Sequence, residues 1–169
     1  METNYFRGYY RMRNRHTFKL CVCLWIAVVG WGIVLFYFSG QDGVASGELS
    51  MRFTRFVLRL FPSLPYTAKV LHPILRKCAH FCIFAVEGFL LASAMMATLQ
   101  RRVLGCALTV LICAAVAALN EYHQTFAVGR SCEVRDMLID AGGAVLGVLF
   151  AALFLFFILR VVKGRARGK

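Results

Sequence analysis

The stretch ILRKCAHFCIFAVEGFLLASAMMATL, residues 74–99, decides the fold. As a helix it is long enough to cross roughly 30 Å of hydrocarbon. It nevertheless carries Arg76, Lys77 and His80 near one end and Glu87 further in. Polar side chains inside such spans are costly and face a bundle interior or a functional cavity. Two later apolar stretches, residues 103–122 and 137–159, carry polar clusters of the same kind. One holds Glu121, His123 and Gln124; the other runs from Arg130 through Arg135 and Asp136 to Asp140. Hairpin threading of a membrane puts all three clusters at the same depth, and three that converge read as a site.

The rest of the composition agrees with a membrane chain. Mean hydropathy is +0.67 and 60% of residues are hydrophobic against 17% charged, more apolar surface than a soluble domain of this length can bury. A first span covers residues 18–38. It is longer than a signal-peptide core and leaves through Phe36-Tyr37-Phe38, so it reads as an uncleaved anchor. The expectation is one all-α domain, a four-helix membrane bundle over residues 18–159, between a basic N-terminus (1–17) and a basic tail (160–169). The seven cysteines are odd in number and scattered mostly through apolar segments, which excludes a disulfide framework.

Charge gives an orientation. Arg7, Arg11, Arg13, Arg15 and Lys19, the turn residues Arg101 and Arg102, and Arg160, Lys163, Arg165, Arg167 and Lys169 hold twelve of the 20 basic residues. All fall on one side of a four-span threading, and short basic flanks stay in the cytoplasm. Both termini are therefore expected to be cytoplasmic and the polar clusters to face outward. Residues 51–61, MRFTRFVLRLF, place Arg52, Arg55 and Arg59 on one helical face with apolar residues around the rest. Such a helix is expected to lie flat in the interface with its guanidinium groups among headgroups. The net charge of +12 is thus anchoring charge, and a nucleic-acid partner is not expected.

The clusters admit two readings. On one, Glu121, Asp136 or Asp140 works with His80 as an acid/base pair. On the other, the same groups form buried pairs that register the helices, with Arg76 or Arg130 against Asp140. Lys77, His80, Phe84 and Glu87 share a face of the second span; Asp136, Asp140, Gly143 and Gly147 form a stripe on the fourth. Gly143-x-x-x-Gly147 lets another helix approach closely and would bring the acidic end of that stripe to Arg76, Lys77 or His80. No HxxxH or HExxH spacing occurs, and no metal or other cofactor is expected. No GxSxG nucleophile motif is present either.

These residues resemble the VanZ-like family of membrane proteins. Arg76-Lys77-Cys78-Ala79-His80-Phe81 is similar to its RK-x-AHF signature, and Glu121–Ser131 to its E-x-HQ-x-F-x-x-GRS stretch. Asp136–Gly143 is similar to its D-x-x-x-D-x-x-G continuation. Phe38-Ser39-Gly40-Gln41 with Ser46 and Ser50 is similar to the FS-x-Q and serines after its first helix. The chain departs from the family in having Ile83-Phe84 where members often carry Glu-Tyr, and Asn120 where Asp is common; both changes remove negative charge. The resemblance implies a small multi-pass protein of a bacterial cell membrane, in a family whose founding member is associated with teicoplanin-type resistance. Three functions remain open. The first is binding or shielding of an anionic envelope lipid or lipoglycopeptide at the outer leaflet. The others are an intramembrane enzyme on a lipid-linked substrate using Glu121 and His80, and a structural subunit with a protein partner.

Overall fold

The computed structural model describes residues 2–99, 101–130 and 132–167, with side chains described for residues 17–99, 101–130 and 132–161. The side chains of Arg7, Arg11, Arg13, Arg15, Lys163, Arg165 and Arg167, and Gln100, Ser131 and Lys169 altogether, lie outside the described residues. So does most of the charge from which the orientation was inferred. The described residues form five helices and no strand: α1 (Glu2–Ser39), α2 (Gly43–Leu60), α3 (Ala68–Leu99), α4 (Arg102–Gln124) and α5 (Val134–Arg167). Among the described residues four apolar stretches are long enough to cross a membrane: Thr17–Ser39, Ala68–Leu99, Arg102–Gln124 and Val134–Val161. The chain is built as a multi-pass membrane protein.

Several boundaries differ from the sequence expectation: α1 and α5 extend into the basic flanks, to Glu2 and Arg167, and α3 and α2 begin earlier. Helix α3 begins at Ala68 rather than at 74, with Pro73 inside it. Pro73 lacks an N–H and so leaves the carbonyl of Lys69 without its helical donor, but it sits early enough that the helix continues. The Thr67 carbonyl starts the helix by accepting from Val70 and Leu71 N–H at 3.1 and 3.0 Å. Helix α2 begins at Gly43 rather than at 51. The Asp42 carboxylate caps it, accepting from Ala45 N–H at 2.7 Å, and Gly43 N–H donates to the Val128 carbonyl at 2.9 Å. Residues 43–47 carry no apolar periodicity, so the cap supplies what the pattern lacks.

Helix α3 touches all four other helices. The close approaches pair Phe81 with Gly143 and Ala85 with Gly147, so α3 and α5 run in the same direction. In contrast, α1 runs against α3: Trp31 Nε1 donates to the Ile83 carbonyl at 3.0 Å and Trp25 Nε1 to Thr98 Oγ1 at 3.0 Å. Between helices in lipid there is no hydrophobic drive, so contact relies on dispersion and on small residues that admit a close approach. Buried Ala92, Ala94, Ala117, Ala144 and Ala151 fit that requirement.

The glycines carry it furthest. A methyl group on Gly143 would run into the Phe81 carbonyl, one on Gly147 into the Ala85 carbonyl, and one on Gly88 into the Ala144 carbonyl. The α3–α5 contact is therefore backbone against backbone. By contrast, a methyl group on Gly32 meets nothing within 4 Å.

Replacing Gly147 by leucine should destabilise the purified protein by at least the ~1–3 kcal/mol typical of overpacking. Gly32→Leu should leave the thermal unfolding midpoint in detergent unchanged or slightly raised. Equal midpoints for the two variants would contradict the close α3–α5 approach.

Candidate functional site

The start of α3, the end of α4 and the start of α5 meet at one end of the helices, and the three polar clusters meet with them. Lys77 Nζ hydrogen-bonds Asp136 Oδ1 and lies 3.9 Å from Glu133 Oε2. One turn further in, His80 Nδ1 is 3.6 Å from Asp140 Oδ1, within ion-pair reach but too long for a hydrogen bond. Residues 77 and 80 on one helix thus face 136 and 140 on its parallel neighbour as successive rungs. Asp140 is fully buried and Asp136 partly so. The acidic end of the α5 stripe meets Lys77 and His80, as the Gly143–Gly147 approach requires. Neither Arg76 nor Arg130 pairs with Asp140; His80 occupies that place.

From α4, Asn120, Glu121 and Gln124 turn inward and are 1%, 1% and 3% exposed. Glu121 Oε2 accepts the backbone N–H of Glu133 at 3.0 Å, and the Glu133 carbonyl in turn accepts from Asp136 and Met137 N–H at the head of α5. A carboxylate there satisfies a donor that the helix leaves free and meets the positive end of its dipole. Among the described residues no ion pair joins Glu121 to His80. His123 points elsewhere: it is exposed, packs edge-on against the Phe36 ring at 6.0 Å and lies over Gly40.

Arg130 lies in the link between α4 and α5, which turns at Gly129 with φ +76°. Its guanidinium donates to the carbonyls of Ser39 at 2.8 Å and Gln41 at 3.4 Å. These cap the C-terminal end of α1, where a cation meets the negative end of the dipole and carbonyls that lack helical donors. Burial, and after it the neighbouring Arg76, pushes the Arg130 pKa below the usual arginine value, while Glu121 and Asp136 act in the opposite sense. An arginine stays charged through such a shift. Two like charges are thus held close at this end.

What they flank is a cavity of about 420 Å³ between α1, α2 and α3. Its polar side includes Ser39, Gln41, Arg76, His80, Asn120 and Arg130, with Ser46 and Ser50 from α2, and its apolar side includes Leu35, Phe53, Leu75, Ile83 and Phe84. A larger groove of about 870 Å³ lies along α1 toward the other end, among Phe18, Trp25 and Ile33. Lined by no charged side chain, it has the character of a lipid-facing surface. The charged and polar side chains line the smaller space.

A family profile described as VanZ/LLP1 matches residues 24–157, which takes in the spanning part of α1 and all of the polar end. The chain belongs to the VanZ/LLP1 family. No curated protein and no solved structure gives a significant match.

The remaining residues expected at the site of this VanZ/LLP1 protein fall around it. Lys77, Glu121, Gln124, Asp136 and Asp140 form a polar layer with His80. Glu87 lies deeper, 5% exposed, with Oε2 unpartnered. Arg135 is exposed on α5, and Arg52, Arg55 and Arg59 are exposed on α2. Among the described residues no group of three or more His, Cys, Asp or Glu is arranged to hold a metal ion. The expected site residues did not include Ser39, Gln41 or Asn120, which line the cavity. The FS-x-Q similarity was the available signal for the first two.

Glu121→Gln keeps an oxygen for the Glu133 N–H, whereas Glu121→Leu removes it and leaves a donor unpaired. The leucine variant should lose about 1–3 kcal/mol of stability, read as a lower unfolding midpoint in detergent, and the glutamine variant should stay near wild type. Equal losses would show that the Glu121–Glu133 bond does not hold the head of α5.

Proposed function

We propose that this VanZ-family protein holds the headgroup of an anionic envelope lipid, or of a lipoglycopeptide, in the cavity between α1, α2 and α3 at the outer leaflet of a bacterial cell membrane. The observation that carries the reading is the pairing of two arginines, Arg76 and Arg130, with an apolar wall in one space. Guanidinium groups match phosphate and carboxylate geometry and are weakly hydrated, so they bind such groups where water is scarce. The apolar wall suits an acyl or isoprenoid chain. Here Lys77 takes no part, because Asp136 neutralises it.

On the same reading both termini are cytoplasmic and the four spanning helices form one bundle over residues 18–159. The segments 1–17 and 160–169 are its basic flanks. Helix α2 lies in the outer interface. Arg52, Arg55 and Arg59 occupy an arc of its surface beside exposed Phe53, Phe56 and Leu60, the arrangement of a helix half sunk among headgroups. These arginines gather anionic lipid near the mouth, and their contribution weakens as salt screens them. Shielding of such a lipid is the route by which the protein affects teicoplanin-type susceptibility.

One observation favours an enzyme as the second reading. His80 borders the cavity with Asp140 behind its Nδ1, an imidazole–carboxylate pair beside a space for substrate. The two readings separate by substitution. Expression of the wild-type protein in a Gram-positive host should raise tolerance of teicoplanin. At matched membrane levels Arg130→Ala should abolish the effect and Glu121→Gln should retain most of it. Loss in Asp140→Asn with Arg130→Ala unaffected would favour catalysis. No effect of the wild-type protein removes the resistance role.

A further inference from the structure

Three residues that line the α1–α2–α3 cavity each carry a buried polar atom without a hydrogen-bond partner: Arg130 Nε, Ser39 Oγ and Asn120 Oδ1. Asn120 is 1% exposed and Ser39 5%. Buried polar groups in folded proteins are almost always partnered, so three orphans lining one space describe what that space accepts. Arg130 Nε–H can only donate and the Asn120 carbonyl oxygen can only accept; the serine hydroxyl can do either. An anion alone satisfies the first and leaves the second unmet. The ligand must carry an anionic acceptor and a hydroxyl donor close together.

Charge points to an anion. Arg76 and Arg130 supply two positive charges at the cavity, and Asp136 on α5 is neutralised by Lys77. The anion that joins a hydroxyl-bearing headgroup to a lipid is a phosphodiester, whose charge the two guanidinium groups can share.

We infer that the cavity selects a lipid phosphodiester whose headgroup bears a hydroxyl, of the phosphoglycerol kind, with Arg76 and Arg130 on the phosphate and Asn120 accepting from the hydroxyl. This rests on reading the cavity as an anionic-lipid site and names the headgroup. Ser39 supplies a further donor to the phosphate, and Leu35, Leu75 and Ile83 border the start of the chain.

The test is competitive lipid retention by the full chain in nanodiscs, read by native mass spectrometry. The nanodiscs hold phosphatidylcholine with equal amounts of phosphatidylglycerol, phosphatidylmethanol and phosphatidic acid. Phosphatidylmethanol has the same charge as phosphatidylglycerol but no hydroxyl; phosphatidic acid is a monoester. Wild-type protein should retain phosphatidylglycerol roughly five- to tenfold over phosphatidylmethanol, the worth of one hydrogen bond, and also above phosphatidic acid, which bears no headgroup hydroxyl. Asn120→Leu should erase the difference between the two diesters while keeping both above phosphatidylcholine. Should that variant fail to fold, Ser39→Ala serves instead: it should lower both diesters alike and preserve their ratio. Soluble glycerophosphoglycerol in tenfold excess should not displace the lipid; complete displacement would make the ligand a soluble phosphodiester and overturn the lipid source. Retention of phosphatidylmethanol or phosphatidic acid equal to phosphatidylglycerol would overturn the headgroup assignment and leave the anionic-lipid reading intact. Retention of no anionic lipid above phosphatidylcholine would overturn both.

Discussion

The backbone-to-backbone approach of α3 and α5 is the constraint on which the rest depends. Gly143 and Gly147 sit against the carbonyls of Phe81 and Ala85, and Gly88 against that of Ala144, so neither helix can slide or rotate without a collision. That register puts Lys77 opposite Asp136 and His80 opposite Asp140. In an apolar surround such pairs add little net stability, but one partner without the other is strongly unfavourable. The glycine contacts and the charge rungs therefore specify the same alignment by independent means. Helix α4 is then tied to the head of α5 through Glu121, and α1 to the α4–α5 link through Arg130.

The cavity is a consequence of these ties. Arg130 reaches from its link to the end of α1, Arg76 projects from α3, and α2 closes the third side. Arg130 is set by contacts that have nothing to do with a ligand, which preorganises its side of the site. The carbonyls of Ser39 and Gln41 accept from one terminal nitrogen of Arg130 and leave its Nε without a partner.

Much of this was legible in the sequence. Spanning helices announce themselves by length and apolarity, because a bilayer has a fixed thickness. The meeting of the three polar clusters followed from threading, and the Gly143–Gly147 approach from spacing. Less legible were contacts made to backbone. Nothing in the side-chain pattern says that Glu121 accepts from Glu133 N–H or that Arg130 donates to the carbonyls of Ser39 and Gln41. The choice of His80 rather than Arg76 or Arg130 as the neighbour of Asp140 depends on the rotation of α3 against α5, which spacing leaves open by a residue either way. The start of α2 was hidden for a related reason: the Asp42 cap holds a turn whose own residues are poor helix formers.

The central claim is that two arginines and an apolar wall hold an anionic lipid. Its most direct measurement is the anionic phospholipid that stays bound through detergent extraction and purification, quantified per protein for the wild type and for the Arg76→Gln/Arg130→Gln double variant. The account predicts that the wild type retains anionic lipid and that the double variant, folded and with neutral lipid unchanged, loses it. Equal retention by the two proteins would contradict it.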